Sequence, residues 1–143
     1  MKDIELAQKI LFEEELTLCV VKDSEILFKS NNKGIEPLYK ICTESLGKFK
    51  GASVADRVTG KAAAMICVHI GVVELSTDVI SKTAVKILND INIKYKKIVP
   101  YILNRTKSDM CPVERLSQDI DDFDLLIKRV KDFLDNIKAF NKV

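Results

Sequence analysis

The stretch ASVADRVTGKAAAMICVHIGVVEL, residues 52–75, decides the fold class. Ala52-Ser53-Val54-Ala55 reads as a short extended strand, and Lys61 to Ile70 as a helix that is apolar nearly all round. A helix of that kind is central, buried by neighbours on several sides. Gly71 is placed to stop it, and Val72 to Leu75 resumes a strand. Two strands separated by a helix in this way are joined by a crossover, which makes them parallel.

Toward the amino terminus the same alternation continues. Asp3 to Glu14 sets Ile4, Ala7 and Leu11 on one stripe with Ile10 alongside, at helical spacing. Leu16 to Val21 and Glu25 to Ser30 read as strands, and Lys22-Asp23-Ser24 between them is short enough for an antiparallel hairpin. Asn31-Asn32-Lys33-Gly34 is a turn cluster. The next helix tolerates Pro37 in its first turn, buries Ile35, Leu38, Tyr39, Cys42 and Leu46, and stops at Gly47.

Toward the carboxyl terminus, Ser81 caps a helix running to about Asn89 with Ala84, Val85 and Leu88 inward. Ile93 to Val99 is the last strand, ended by Pro100. A long helix, at about residues 120–140, spaces Ile120, Phe123, Ile127, Val130, Leu134 and Ile137 by threes and fours, with Leu126, Phe133 and Phe140 widening the stripe. Its acidic start (Asp121, Asp122, Asp124) and basic later turns (Lys128, Arg129, Lys131, Lys138) suit the helix dipole. Such a stripe either docks on its own domain or pairs with a copy of itself in a homo-oligomer. The expectation is one α/β domain over residues 1–143, a three-layer α/β/α sandwich around a mixed sheet of about five strands.

Composition narrows the function classes. The chain has 143 residues, 47% hydrophobic and 31% charged, with 23 Lys+Arg against 21 Asp+Glu. A net charge of +2 lacks the basic excess of a nucleic-acid binder, so no nucleic acid is expected as partner. The longest apolar run, Ala62 to Val73, is interrupted by His69 and Gly71 and falls short of the roughly 20 residues that span a bilayer, so no membrane is expected either. The first residues, Met1-Lys2-Asp3-Ile4-Glu5-Leu6, carry acids where a signal peptide needs an apolar core. Cys19, Cys42, Cys67 and Cys111 are scattered, with no Cys-x-x-Cys pair. A reduced, cytoplasmic protein with no metal and no cofactor is the reading, and the lone His69, inside the apolar helix, is a core residue.

Two stretches carry a resemblance. They are Ala55-Asp56-Arg57-Val58-Thr59-Gly60-Lys61-Ala62-Ala63-Ala64, and Val99-Pro100-Tyr101-Ile102-Leu103-Asn104-Arg105 continuing to Met110-Cys111-Pro112-Val113-Glu114. With the element order, they resemble an uncharacterised family of small prokaryotic proteins, a domain of unknown function with a cytidine-deaminase-like fold. The resemblance implies that fold and no activity, because fold does not confer function. Zinc deaminases carry His-Ala-Glu or Cys-Ala-Glu at the start of one central helix and Pro-Cys-x-x-Cys at the next. This chain has Gly60-Lys61-Ala62 and Ile80-Ser81-Lys82-Thr83 there, so every zinc ligand and the proton-shuttling Glu are missing.

The candidate site follows from what stands in their place. A lysine in the first turn opposes the dipole unless an anion sits between Lys61 and the free backbone N–H groups. Arg57 would add charge, and Gly60 would let a phosphate approach; the structural alternative has Asp56 or Thr59 capping and Gly60 simply packing closely. No P-loop is present, since Ala62 replaces its Ser/Thr. Beyond the last strand, Asn104 and Arg105 are placed to recognise a base edge, ribose or phosphate. Cys111-Pro112-Val113-Glu114 reads as a helix start. Cys111 is there either a nucleophile or a loop thiol, and Asp56 is the other candidate reactive group. The leading expectation is a metal-free domain that binds a nucleotide or related phosphorylated small molecule. Ser53, Asp56, Arg57, Gly60, Lys61, Asn104 and Arg105 would form its site. The alternatives are an enzyme acting on a nucleotide or ribosyl substrate through Asp56 or Cys111, and an oligomerising module built on the last helix.

Overall fold

The computed structural model describes residues 1–44 and 47–141, and in the last helix the side chains up to residue 139. The expected inward positions of Leu46 and Phe140 lie outside the described residues. The elements run α1 (Asp3–Glu13), β1 (Leu18–Lys22), β2 (Glu25–Ser30), α2 (Glu36–Glu44), β3 (Ser53–Thr59), α3 (Lys61–Ile70), β4 (Glu74–Ser81), α4 (Lys82–Ile87), β5 (Asn92–Val99), α5 (Pro112–Ser117) and α6 (Phe123–Asn141). One five-stranded mixed sheet has the order β2-β1-β3-β4-β5. β1 is antiparallel to both β2 and β3, and β3, β4 and β5 are parallel. The hairpin and the crossovers expected from the sequence are therefore present.

Successive strand residues point to opposite faces, and the two faces bury different partners. Val20 and Val54 join α2, α3, α4 and α6 in the larger core, around Ile66, Leu75, Ile80 and Leu88. Cys19, Val21 and Ala55 point the other way, against Ala7 and Leu11 of α1. Leu126 and Val130 of α6 are fully buried in the larger core, with Ile127 and Leu134 packed on it, so this helix docks on its own domain.

The sequence expectations need three adjustments. β3 runs to Thr59 instead of stopping at Ala55, and β4 runs from Glu74 to Ser81 instead of ending at Leu75. The later halves of these strands carry Asp56, Arg57, Thr77 and Asp78, which hides their strand character from an apolar pattern. His69 is exposed, not a core residue: its ring stacks on Phe123 at 3.7 Å and 9°. α3 is buried through Cys67, and in its last turn Val68 and His69 are exposed.

Two local signals hold as read. Ser81 Oγ accepts the Ala84 N–H at 3.1 Å and starts α4 at the end of β4. Gly71 ends α3 at φ +83°, and a Cβ there would meet the Lys50 backbone Cα at 3.1 Å. Left-handed backbone and close approach both disfavour a side chain. Gly71→Ala is therefore expected to lose about 1–3 kcal/mol of stability in urea unfolding.

Candidate functional site

β3 ends beside a cavity of about 300 Å³. Its floor is the second half of β3, with Leu18 of β1 paired opposite Asp56. One wall is the segment entering α2 and the helix's first turn, with Lys33, Ile35 and Leu38; another is the first turn of α3, with Ala62 and Ala63. The third is the approach to α5, with Ile102, Cys111, Val113 and Glu114. The surroundings are mainly apolar, with Thr17, Lys33, Asp56, Arg57, Lys61 and Glu114 as the polar members of the lining.

Asp56 is organised by its own turn. Its Oδ1 accepts the Arg57 N–H at 2.8 Å, and its Oδ2 accepts the Thr59 hydroxyl at 3.1 Å. The Thr59 oxygen lies 3.0 Å from the Thr77 hydroxyl on β4, which ties the turn to the next strand. Burial pushes the Asp56 carboxyl up to about 7 from 3.8; bonds from Arg57, Thr59 and Val58 oppose the rise, and Asp78 adds to it. Asp56 is thus a carboxyl that exchanges its proton near neutral pH.

The start of α3 already has its anion. Glu114, 6% exposed, accepts the Lys61 N–H at 3.0 Å through Oε1 and the Ile102 N–H at 2.6 Å through Oε2. A carboxylate is the group that a helix N-terminus favours. Gly60 makes this approach possible, since a Cβ would sit 3.0 and 3.1 Å from the two Glu114 oxygens. Close packing, the structural alternative for Gly60, is what is found. The Lys61 side chain is buried as well: Nζ donates to the Gln118 carbonyl at 3.0 Å and pairs with Asp121 at 3.3 Å.

A family model described as TM1506, domain of unknown function (DUF1893), matches residues 6–134. The chain belongs to the DUF1893 family. A solved DUF1893 protein from Thermotoga maritima, TM1506, is 27% identical, with a TM-score of 0.83 over 92% of this chain and 90% of that one. No curated protein matches the sequence.

In this DUF1893 chain the other expected site residues scatter. The Arg57 guanidinium turns to the α1 side of the sheet: Nε donates to Leu16 O at 3.0 Å, Nη2 to Leu11 O at 3.1 Å, and Nη1 pairs with Asp78 at 3.3 Å. It lines the cavity while its charge is used to hold the end of α1. Ser53 lies at the opposite end of β3, between Val21 and Glu74, and outside the cavity lining. Asn104 holds its own loop, with Oδ1 accepting the Ser108 N–H and the Thr106 hydroxyl, each at 3.1 Å. Arg105 is exposed and also outside the lining. Cys111 is half-buried at the start of α5, its N–H donating to Ile102 O at 2.8 Å, and it does line the cavity.

The structure thus gathers Asp56, Arg57, Gly60, Lys61 and Cys111 and leaves out Ser53, Asn104 and Arg105. Sequence reading missed Thr17 and Lys33 at the cavity, and missed what Glu114 binds. The thiols of Cys19 and Cys42 are pushed up to about 11 by burial, and that of Cys67 is pushed higher still, which makes all three poor nucleophiles at neutral pH. Among the described residues no helix is long and apolar enough to cross a membrane.

Proposed function

We propose that this chain is a metal-free, cytidine-deaminase-like domain that binds a nucleotide or related phosphorylated small molecule in the cavity beside Asp56. The strand order β2-β1-β3-β4-β5, antiparallel around β1 and parallel from β3 onward, supports the fold reading. The observation that carries the function is the cavity itself, a hollow of about 300 Å³ with apolar walls and an organised carboxyl. It opens at the carboxyl end of a parallel strand, where α/β sheets bind ligands. Glu114 occupies the α3 N-terminus, so a phosphate stays at the mouth, where Lys33 belongs to no ion pair among the described residues.

Thermal-shift measurements with millimolar nucleosides, nucleotides and nucleotide sugars test the reading. A ligand at a hundred times its Kd adds about 2.7 kcal/mol, enough to raise Tm by several degrees. Lys33→Ala is expected to reduce the shift with phosphorylated ligands more than with nucleosides. No shift with any of them would sink the proposal.

Asp56 and Cys111 line the same cavity, which favours an enzyme as the second reading. A carboxyl titrating near 7 is suited to proton transfer, and the Cys111 thiol is within the same walls. Mass spectrometry after incubation with activated ribosyl or acyl compounds would then reveal a covalent adduct, lost in Cys111→Ser or Asp56→Asn.

A further inference from the structure

Two carboxyls line the cavity, and only one of them is matched. Glu114 is matched: both of its oxygens take backbone N–H groups at a helix N-terminus. Asp56 is different. Its donors are all neutral: the Arg57 N–H, the Thr59 hydroxyl and the Val58 N–H. The two nearest cations in sequence are committed elsewhere, Arg57 to the Leu11 and Leu16 carbonyls and Asp78, and Lys61 to Gln118 and Asp121. Most of what remains around the hollow is apolar: Leu18, Ile35, Leu38, Ala63, Ile102 and Val113. A carboxylate in apolar surroundings is costly unless a cation or several hydrogen-bond donors meet it.

We infer that the ligand supplies that cation: its inner end is an amidinium-like N–H donor on a flat apolar body, received by Asp56. This rests on the cavity being the ligand site and deepens that reading, because it fixes which end of the molecule enters. Any phosphate then trails toward Lys33. The Asp56 oxygens already hold protein donors but, with about four acceptor directions between them, retain capacity for a ligand N–H.

The same arrangement makes binding depend on pH. The groups around Asp56 are Arg57 on its own strand, Asp78 on β4, Cys67 and Lys61 on α3, Glu114 on α5, Cys111 before α5 and Lys33 before α2. With Asp56 titrating near 7, a permanently cationic ligand meets a carboxyl that is about one-tenth ionised at pH 6 and about nine-tenths at pH 8. Its apparent affinity rises about tenfold over that interval.

Benzamidine is the probe, with benzoate and benzamide as flat controls of the same size, titrated by amide NMR at pH 6 and pH 8. The expected result is benzamidine binding that tightens about tenfold with pH and moves the Arg57 and Thr59 amides, with benzoate not bound. Asp56→Asn is expected to remove the pH dependence. Because Asp56 also shapes its own turn, the wild-type contrast between benzamidine and benzoate decides the matter without the variant. Benzoate binding as well as benzamidine, or benzamidine binding independently of pH, overturns the inference. Nucleotide stabilisation with no benzamidine binding overturns it and leaves the nucleotide reading standing. Benzamidine binding at Asp56 with no nucleotide or nucleoside shift does the reverse.

Discussion

Glu114→Ala is expected to lower the unfolding free energy by about 3–5 kcal/mol and Tm by roughly ten degrees. Three losses combine. The Lys61 and Ile102 N–H groups, bonded to Glu114 at 3.0 and 2.6 Å, lose a charged acceptor in a buried place. Each such bond contributes about 1.5–3 kcal/mol, and each orphaned donor retains its desolvation penalty. The positive end of the α3 dipole loses its counter-charge, and a void opens beside Gly60. Glu114→Gln separates the causes. Its amide oxygen still accepts one N–H, but its NH₂ meets the other donor head-on, so about half the loss is expected to remain. Urea unfolding of the two variants checks the order. A loss below about 1 kcal/mol for Glu114→Ala would mean that water replaces the carboxylate, leaving the α3 start available to an outside anion.

The Glu114 contacts also mark the limit of what local sequence pattern encodes. Local pattern made the crossover legible, because periodicity changes from strand to helix and back between residues 52 and 75. It made the hairpin legible, because Lys22-Asp23-Ser24 is short and polar; Asp23 and Ser24 take positive φ there. The start of α5 was legible too: Cys111 is its N-cap, Pro112 its first residue and Glu114 lies in its first turn. What Glu114 does was not, since its oxygen bonds a backbone group 53 residues away. Lys61 and Arg57 read as available cations for the same reason. Their partners lie 57 and 60 residues on for Lys61, and 41 and 46 residues back for the Arg57 carbonyl contacts. A charge in sequence carries no mark of the strand or helix end that will neutralise it. Asp56 was legible as a reactive candidate, but its isolation from cations is set by the distant partners that hold Arg57 and Lys61.

That isolation gives the last expected result: Asp56→Asn stabilises the protein at pH 8. The native carboxyl, near 7, holds its proton more tightly than the unfolded one, near 3.8. Its contribution to stability is therefore fully present below about 4 and is lost as the pH climbs through 7. The full difference corresponds to a penalty on the order of 4 kcal/mol above neutrality. The amide carries no charge to desolvate, yet it gives up part of the bonding to Arg57 and Thr59. A net gain of about 1–3 kcal/mol at pH 8 is expected, falling by about 3 kcal/mol at pH 5, where the native carboxyl is already protonated. Guanidinium unfolding at the two pH values measures both quantities. A variant less stable than wild type at pH 8 by the same margin as at pH 5 would show that Asp56 is held by its turn and not strained by its charge. A gain at pH 8 would identify a carboxyl kept at the expense of stability, which is characteristic of binding and catalytic sites. Benzamidine should then narrow the gap at pH 8 by stabilising the wild type and not the variant, so that one residue accounts for both the loss of stability above neutrality and the cation that the cavity takes up.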